Sequence, residues 1–310
     1  MTRPRTIRSC ISCAFAVLLA ACSSSTSTNG ATEGSSPPRK VTVVAAFYPL
    51  AWLAQHIGTN QVEVRDLTPA GAEPHDIELD ANGVDAAQQA DVAIVLGRGF
   101  QPAVEAAAKA RSAGTVSILD QVLNVTGEDP HVWLDPVLMD RMATGVAEAM
   151  AAANPALAPG FNRNVMSLHT QLRALDAEYR TGLSTCRRKE LVTSHEAFGR
   201  LASRYGLHQE GIAGFSPDAE PDPKRMAELA DLVKQRGVTT IFTEELLPAK
   251  LADTLARETG ASTAVLSPLE SLTVTQKAAG GDYLSVMKAN LGLIRTALGC
   301  SQGDVGIALD

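Results

Sequence analysis

Short apolar runs alternate with helix-like stretches along the chain beyond Arg39. In the first half, four runs rich in aliphatic and β-branched residues predict buried parallel strands, and the stretches between them have helical spacing. The predicted strands are 41–47, 62–67, 92–96 and 116–119, and the predicted helices are 50–57, 84–90 and 102–110. This alternation is typical of an α/β fold with a parallel sheet.

The second half repeats the alternation. Strands are predicted at 191–193, 211–215, 239–243 and 263–266, and helices at 197–205, 223–235, 249–258 and 282–298. The second of these helices is followed by Gly237, a common residue at a helix end. The pattern therefore predicts two α/β lobes, with bounds at 40–155 and 186–310.

A single long helix is predicted between the lobes, over residues 156–185. Its apolar residues recur every three or four positions, which places them on one stripe of a helix of about 27 residues and roughly 40 Å. They are Leu157, Phe161, Val165, Leu168, Leu172, Leu175, Tyr179 and Leu183. The alternative is two helices with a break near Arg163. One rigid helix would restrain the opening of a cleft between the lobes.

The N-terminus has the features of an export signal. Three arginines precede an apolar segment, residues 11–21, which is too short to span a bilayer as a helix. Small residues then precede Cys22, as in the site that lipoprotein signal peptidase cleaves, so we expect residues 1–21 to be removed and Cys22 to carry lipid. The alternative is an ordinary secretory signal in which Cys22 is incidental. Residues 22–39 are rich in Ser, Thr, Gly and Pro and predict a flexible tether on the extracytoplasmic face of the cell membrane.

Composition and charge narrow the class of function. The chain is 45% hydrophobic and 20% charged, which is globular, and only 4% aromatic. Without residues 1–21 it has 24 basic and 34 acidic residues. Few aromatics and an acidic surface disfavour nucleic-acid binding, and the charge mildly attracts cations. Outside the membrane, the isolated pair Cys186 and Cys300 predicts a disulfide, with two buried free thiols as the alternative.

Three of the six histidines share a context. His75, His131 and His195 lie in loops that follow predicted strands, and ligands of parallel α/β sheets bind outside the carboxyl ends of strands. Three imidazoles and one oxygen form an ordinary tetrahedral set for Zn²⁺. They predict a metal site with two ligands from the first lobe and one from the second. The histidines without a predicted role are His56, His169 and His208.

These motifs resemble those of the metal-binding lipoproteins of zinc and manganese ABC importers, the cluster A-I solute-binding proteins. The resemblance runs from Val41 to Cys300. Its markers are Phe47-Tyr48-Pro49, Pro74-His75-Asp76, Asp129-Pro130-His131-Val132-Trp133, Thr193-Ser194-His195-Glu196 and Ser216-Pro217-Asp218-Ala219-Glu220-Pro221. It implies two parallel-sheet α/β lobes joined by a single long helix, with the metal site in the interlobe cleft.

The resemblance also implies a function and a set of ligands. Such a protein does no chemistry: it captures Zn²⁺ and delivers it to an importer permease in the membrane, and we expect a monomer. His75, His131 and His195 are then ligands. Manganese-type members usually have a carboxylate where His195 stands, so this histidine favours zinc. Manganese or iron as the cargo is the alternative within the same class.

The fourth ligand departs from the family pattern. Members often have an aspartate in the loop after the last strand, and the matching residue here is Ser267, a poor zinc ligand. Glu270, three residues on, is the candidate that we assign to the site; a water molecule is the alternative. Glu73 is a weaker candidate, which would instead orient a ligand histidine by a hydrogen bond.

Two other functions use the same residues or architecture. A zinc hydrolase would need an open metal position and a general base, for which Glu196 is the candidate. The chain has neither a His-Glu-x-x-His motif nor a nucleophile elbow, which disfavours that function. A binder of iron–siderophore complexes would need arginines and aromatics in the cleft instead of histidines.

Overall fold

The computed structural model describes residues 39–111, 114–217 and 221–301. The predicted export signal and residues 22–38 of the predicted tether, including Cys22, lie outside the described residues. Among the helices of the described ranges, none combines the length and the hydrophobicity of a membrane span.

The first lobe is a four-stranded parallel sheet with helices between its strands, and β1 and β3 lie at its centre in the order β2-β1-β3-β4. In chain order its elements are β1 (Val41–Ala45), α1 (Tyr48–Gly58), β2 (Val62–Asp66), α2 (Ala81–Gln89), β3 (Val92–Val95), α3 (Pro102–Lys109), β4 (Thr115–Ser117) and α4 (Pro136–Ala153). Every residue of β3 is buried, as the continuous apolar run predicts.

The predicted long helix is one helix, α5 (Ala158–Leu183). All residues of its apolar stripe are buried, and the helix continues without interruption past Arg163. It packs against α4 and α1 of the first lobe. The stripe therefore serves as the core-facing side of a single helix, as predicted.

The second lobe repeats the topology of the first, with the parallel order β6-β5-β7-β8. Its elements are β5 (Glu190–Thr193), α6 (Gly199–Arg204), β6 (His208–Gly211), α7 (Pro223–Arg236), β7 (Thr240–Thr243), α8 (Lys250–Thr259), β8 (Ser262–Val265), α9 (Val274–Ala278) and α10 (Tyr283–Leu298). The predicted fold class, two parallel-sheet lobes with one long connecting helix, is confirmed. The bounds of the lobes at 40–155 and 186–310 remain a prediction.

One strand lies earlier than predicted. The apolar run 211–215 was expected to be a strand, but β6 begins at His208 and ends at Gly211. β6 is an edge strand with polar, partly exposed residues, so its position carries little hydrophobic signal. The apolar run lies in the loop that follows, where Ile212 and Ala213 are buried.

The last helix, α10, forms hydrogen bonds with α5 and with the first lobe. The Tyr179 hydroxyl on α5 donates to the Met287 carbonyl on α10 at 2.7 Å. The Tyr283 hydroxyl on α10 donates to the Trp133 carbonyl of the first lobe at 2.6 Å. Beyond the ends of α5 and α10, Cys186 and Cys300 form the predicted disulfide.

Candidate metal centre

The carboxyl ends of the strands bring the site residues together. His75 lies between β2 and α2, and His131 between β4 and α4, so both come from the first lobe. His195 follows β5, and Glu270 follows β8. Because all strands are parallel, the loops after them lie at one edge of each sheet. The two edges face each other, and the four side chains meet between the lobes.

The four side chains form a compact cluster. One potential ligand atom from each lies within 4.8 Å of all the others. Glu270 Oε1 is 3.4 Å from His75 Nε2, 3.4 Å from His131 Nε2 and 3.5 Å from His195 Nε2. The Nε2 atoms of His131 and His195 are 3.3 Å apart. Three nitrogens and one carboxylate oxygen at this spacing match the donor set of a four-coordinate zinc ion.

The cluster is shielded from water. His131 and His195 are fully buried, Glu270 is 2% exposed, and His75 is partly buried. Burial raises the pKa of Glu270, but hydrogen bonds from the three histidines outweigh it and hold that pKa well below its usual range. Burial lowers the pKa of His195, but hydrogen bonds to Glu244 and Glu270 raise it to about 10. A buried carboxylate that stays ionised among imidazoles is a site for a cation.

A carboxylate fixes the orientation of the His131 ring. His131 Nδ1 donates to Asp129 Oδ1 at 2.9 Å, and the His131 backbone N–H donates to the same oxygen at 2.9 Å. Arg200 on α6 holds Asp129 in turn, since its Nε donates to the Asp129 carbonyl at 2.8 Å. When His131 is neutral, this contact keeps its proton on Nδ1 and leaves the Nε2 lone pair pointing into the cluster, which is the tautomer a metal requires.

Glu244 orients the His195 ring in the same way, a role that was not predicted from the sequence. His195 Nδ1 donates to Glu244 Oε1 at 2.7 Å, and both groups are buried. Burial raises the pKa of Glu244. The sequence feature that could have indicated this role is the position of Glu244, which directly follows β7, the strand beside β5. Asp129 was noted only as part of a motif, although it lies two residues before His131.

The other candidates for the fourth position do not join the cluster. Ser267 is buried, and its hydroxyl accepts a hydrogen bond from the Leu269 N–H at 3.3 Å. Glu73 accepts a hydrogen bond from the His75 backbone N–H at 3.1 Å, so it contacts a proposed ligand histidine through the backbone and is not one of the four clustered residues. Glu196, the possible general base, is not among the four clustered residues. Glu270 is the carboxylate whose oxygen lies near the Nε2 atoms of all three histidines.

The remaining histidines lie elsewhere. His56 is exposed on α1, and its Nδ1 contacts the Trp52 carbonyl at 2.9 Å. His169 on α5 pairs with Asp140 on α4. His208 is the exposed first residue of β6. None of them belongs to the cluster formed by the described residues.

A family model and curated relatives match most of this chain. The family model described as "ZnuA: Zinc-uptake complex component A periplasmic" matches residues 43–297. Zinc-binding protein AdcA of Streptococcus pyogenes is 35% identical over 286 residues, which cover 83% of this chain and 56% of AdcA. This chain thus spans little more than half the length of that relative. The high-affinity zinc uptake system protein ZnuA of Bacillus subtilis is 32% identical over 305 residues, which cover 91% of this chain and 94% of that one.

Solved structures agree in fold. The Zn(II)-bound ZnuA-like domain of Streptococcus pneumoniae AdcA superimposes with a TM-score of 0.72 at 35% identity, covering 84% of this chain and 99% of that domain. The resemblance that the sequence motifs indicated is therefore confirmed across both lobes. By its match to the family model and its identity to these relatives, the chain belongs to the ZnuA family, described as the periplasmic component A of zinc-uptake complexes.

Proposed function

We propose that this chain is an extracytoplasmic solute-binding protein that captures Zn²⁺ and delivers it to an ABC importer. The observation that carries the proposal is the buried cluster between the lobes, in which one ligand atom from each of four residues lies within 4.8 Å of the others. The proposed ligands are His75, His131, His195 and Glu270.

The donor set favours zinc over manganese. Imidazole nitrogen suits zinc, whereas manganese prefers carboxylate, carbonyl and water oxygens and a larger coordination number. Here three of four donors are nitrogens. The names of the relatives support the same cargo, since the Streptococcus and Bacillus proteins are described as zinc-binding and zinc-uptake proteins.

The chemistry of the site supports binding without catalysis. A catalytic zinc keeps an open position for water, whereas the protein supplies all four donors here. Glu196, which a hydrolase would need as its base, stays outside the cluster. We therefore propose that the protein is not an enzyme.

The family and the N-terminal sequence support a proposal for the partner and the cellular location of the protein. The family description places its members in zinc-uptake complexes, so the proposed partner is the permease of such a complex. We propose that Cys22 carries lipid and that the tether holds a monomeric binding domain at the outer face of the cell membrane. A relative from Streptococcus pneumoniae is named a zinc-binding lipoprotein, which supports the anchor.

Alanine variants test the ligand assignment. His75→Ala, His131→Ala and His195→Ala should each weaken zinc binding at least about tenfold, because each removes one of four donors. The matched control is His56→Ala, which removes an exposed histidine outside the cluster. Competition with a chromophoric zinc chelator measures the affinities. Equal effects of the control and the three site variants would refute the assignment.

A further inference from the structure

The loop that carries Glu270 has an unusual backbone. Leu269, the residue directly before Glu270, has a φ of 55°, in the left-handed region that a branched, non-glycine residue rarely adopts. Its side chain is fully buried. Such a conformation persists only where the surrounding structure determines it, and it is concentrated at functional sites.

Asn290 on α10 fixes the start of this loop. Its side-chain amide donates to the Ser267 carbonyl at 2.7 Å, and its amide oxygen accepts from the Ser267 N–H at 3.2 Å. Asn290 is 2% exposed, so this two-point contact is protected from water. The second lobe thus holds the residue at which the chain leaves β8 for Glu270.

The first lobe holds the loop on both sides of Glu270. Before it, the Trp133 indole N–H donates to the Pro268 carbonyl at 2.8 Å. After it, the Gly71 N–H lies 3.1 Å from the Ser271 hydroxyl and 3.0 Å from the Leu272 carbonyl. Glu270 therefore belongs to the second lobe by sequence, but its loop is bonded to the first.

Trp133 is the most direct of these contacts. It lies two residues after His131, and the carbonyl it contacts lies two residues before Glu270. Its ring is fully buried, and its own carbonyl accepts the Tyr283 hydroxyl, so the indole cannot move freely. One hydrogen bond thus links the backbone segments of two clustered side chains from opposite lobes.

We propose that Trp133 is a positioning residue, whose indole N–H holds the strained Pro268–Leu269 backbone so that the Glu270 carboxylate stays within reach of His131. The inference rests on the proposed function, because it assigns the residue that sets the geometry of the zinc ligands. Without this bond, Leu269 relaxes toward an ordinary backbone conformation and Glu270 withdraws from the ion, leaving a position that water fills.

The test compares two tryptophan variants of the full chain. Trp133→Phe keeps an aromatic ring and loses the donor. The matched control is Trp52→Phe, because Trp52 is equally buried and its Nε1 has no hydrogen-bond partner in the part of the chain that the structure describes. Trp52 also packs against Tyr283, with ring centroids 4.8 Å apart, so the control perturbs the same region without removing a hydrogen bond.

Zinc affinity and the visible spectrum of the cobalt(II)-loaded protein are the two readouts. Trp133→Phe should weaken zinc binding by about ten- to a hundredfold, as is usual for residues that support a ligand. Its cobalt spectrum should change in the position and intensity of its visible bands, because water replaces the Glu270 carboxylate as a ligand. Trp52→Phe should match the wild type in both. If the two variants behave alike, the proposal is overturned. If the wild type itself does not bind zinc, the proposed function is overturned instead.

A measurement on the wild type keeps the test decisive if Trp133→Phe does not fold. The chain has two tryptophans, so ¹⁵N-indole labelling gives two N–H signals. The signal that remains in Trp52→Phe belongs to Trp133. It should shift when zinc is added, because the ion pulls on Glu270 and through it on Pro268. No shift of this signal on zinc binding would overturn the proposal.

Discussion

Replacing Glu244 by glutamine tests whether the second carboxylate tunes the site. Glu244 Oε1 accepts the proton of His195 Nδ1 at 2.7 Å in a fully buried pair. A cation on Nε2 makes the Nδ1 proton more acidic, so an ionised acceptor stabilises the metal-bound form. Glu244→Gln keeps a hydrogen-bond acceptor of nearly the same shape and removes the charge.

The magnitude follows from the type of hydrogen bond. A bond to a charged group contributes about 1.5–3 kcal/mol, and a neutral one about 0.5–1.5 kcal/mol. The variant should therefore lose about 1.4 kcal/mol of zinc binding, a roughly tenfold rise in Kd. The same carboxylate raises the pKa of His195 in the metal-free protein, where the two groups form a buried pair. Removing the charge of one partner of such a pair is destabilising, so the free energy of unfolding of the metal-free variant should also fall.

Two measurements on the same variant separate these effects. Chelator competition gives the zinc affinity, and urea unfolding of the metal-free protein gives the stability. The matched control is Glu245→Gln, at the neighbouring residue, whose carboxylate accepts a hydrogen bond from Gln276 at 3.0 Å and contacts no clustered histidine. An unchanged zinc affinity in Glu244→Gln, or an equal loss in the control, would refute the role given to Glu244.

Three further predictions follow from other parts of the molecule. Burial raises the pKa of Asp66 from 3.8 to about 7. The stability gained by its protonation is therefore present at pH 4 and lost as the pH rises through 7. In urea titrations, Asp66→Asn should raise the unfolding free energy by about 2 kcal/mol at pH 8 and leave it unchanged at pH 4. Replacing Cys186 and Cys300 together by serine removes a disulfide between residues that are 114 positions apart in the sequence. The unfolding free energy should fall by about 4 kcal/mol, and the zinc affinity should not change. Zinc must displace protons from the histidines, so its affinity should fall as the pH is lowered, and calorimetry in buffers of different ionisation enthalpy should detect released protons.

Much of the fold could be predicted from periodicity. The buried parallel strands are continuous apolar runs, and the stripe of α5 has the spacing of one helix. Helix α4 was not predicted, although its buried residues Met142, Val146 and Met150 recur every four positions, the spacing of one helix face. The edge strand β6 was misplaced, because its residues are polar.

The site could be predicted only in part. The three histidines follow strands and were found from that position, whereas the choice of Glu270 over Ser267 or water depends on the path of the loop. That path depends on the positive φ of Leu269, which no sequence pattern indicates. Glu244 contacts His195 across 49 residues, a pairing that arises only from the adjacency of β5 and β7.

The most direct test of the central claim is a calorimetric titration of the metal-free full chain with zinc, and with manganese beside it. We expect one tight zinc equivalent and much weaker binding of manganese, because three of the four donors are imidazole nitrogens. The absence of a tight zinc equivalent, or tighter binding of manganese than of zinc, would contradict the proposal that this protein captures zinc.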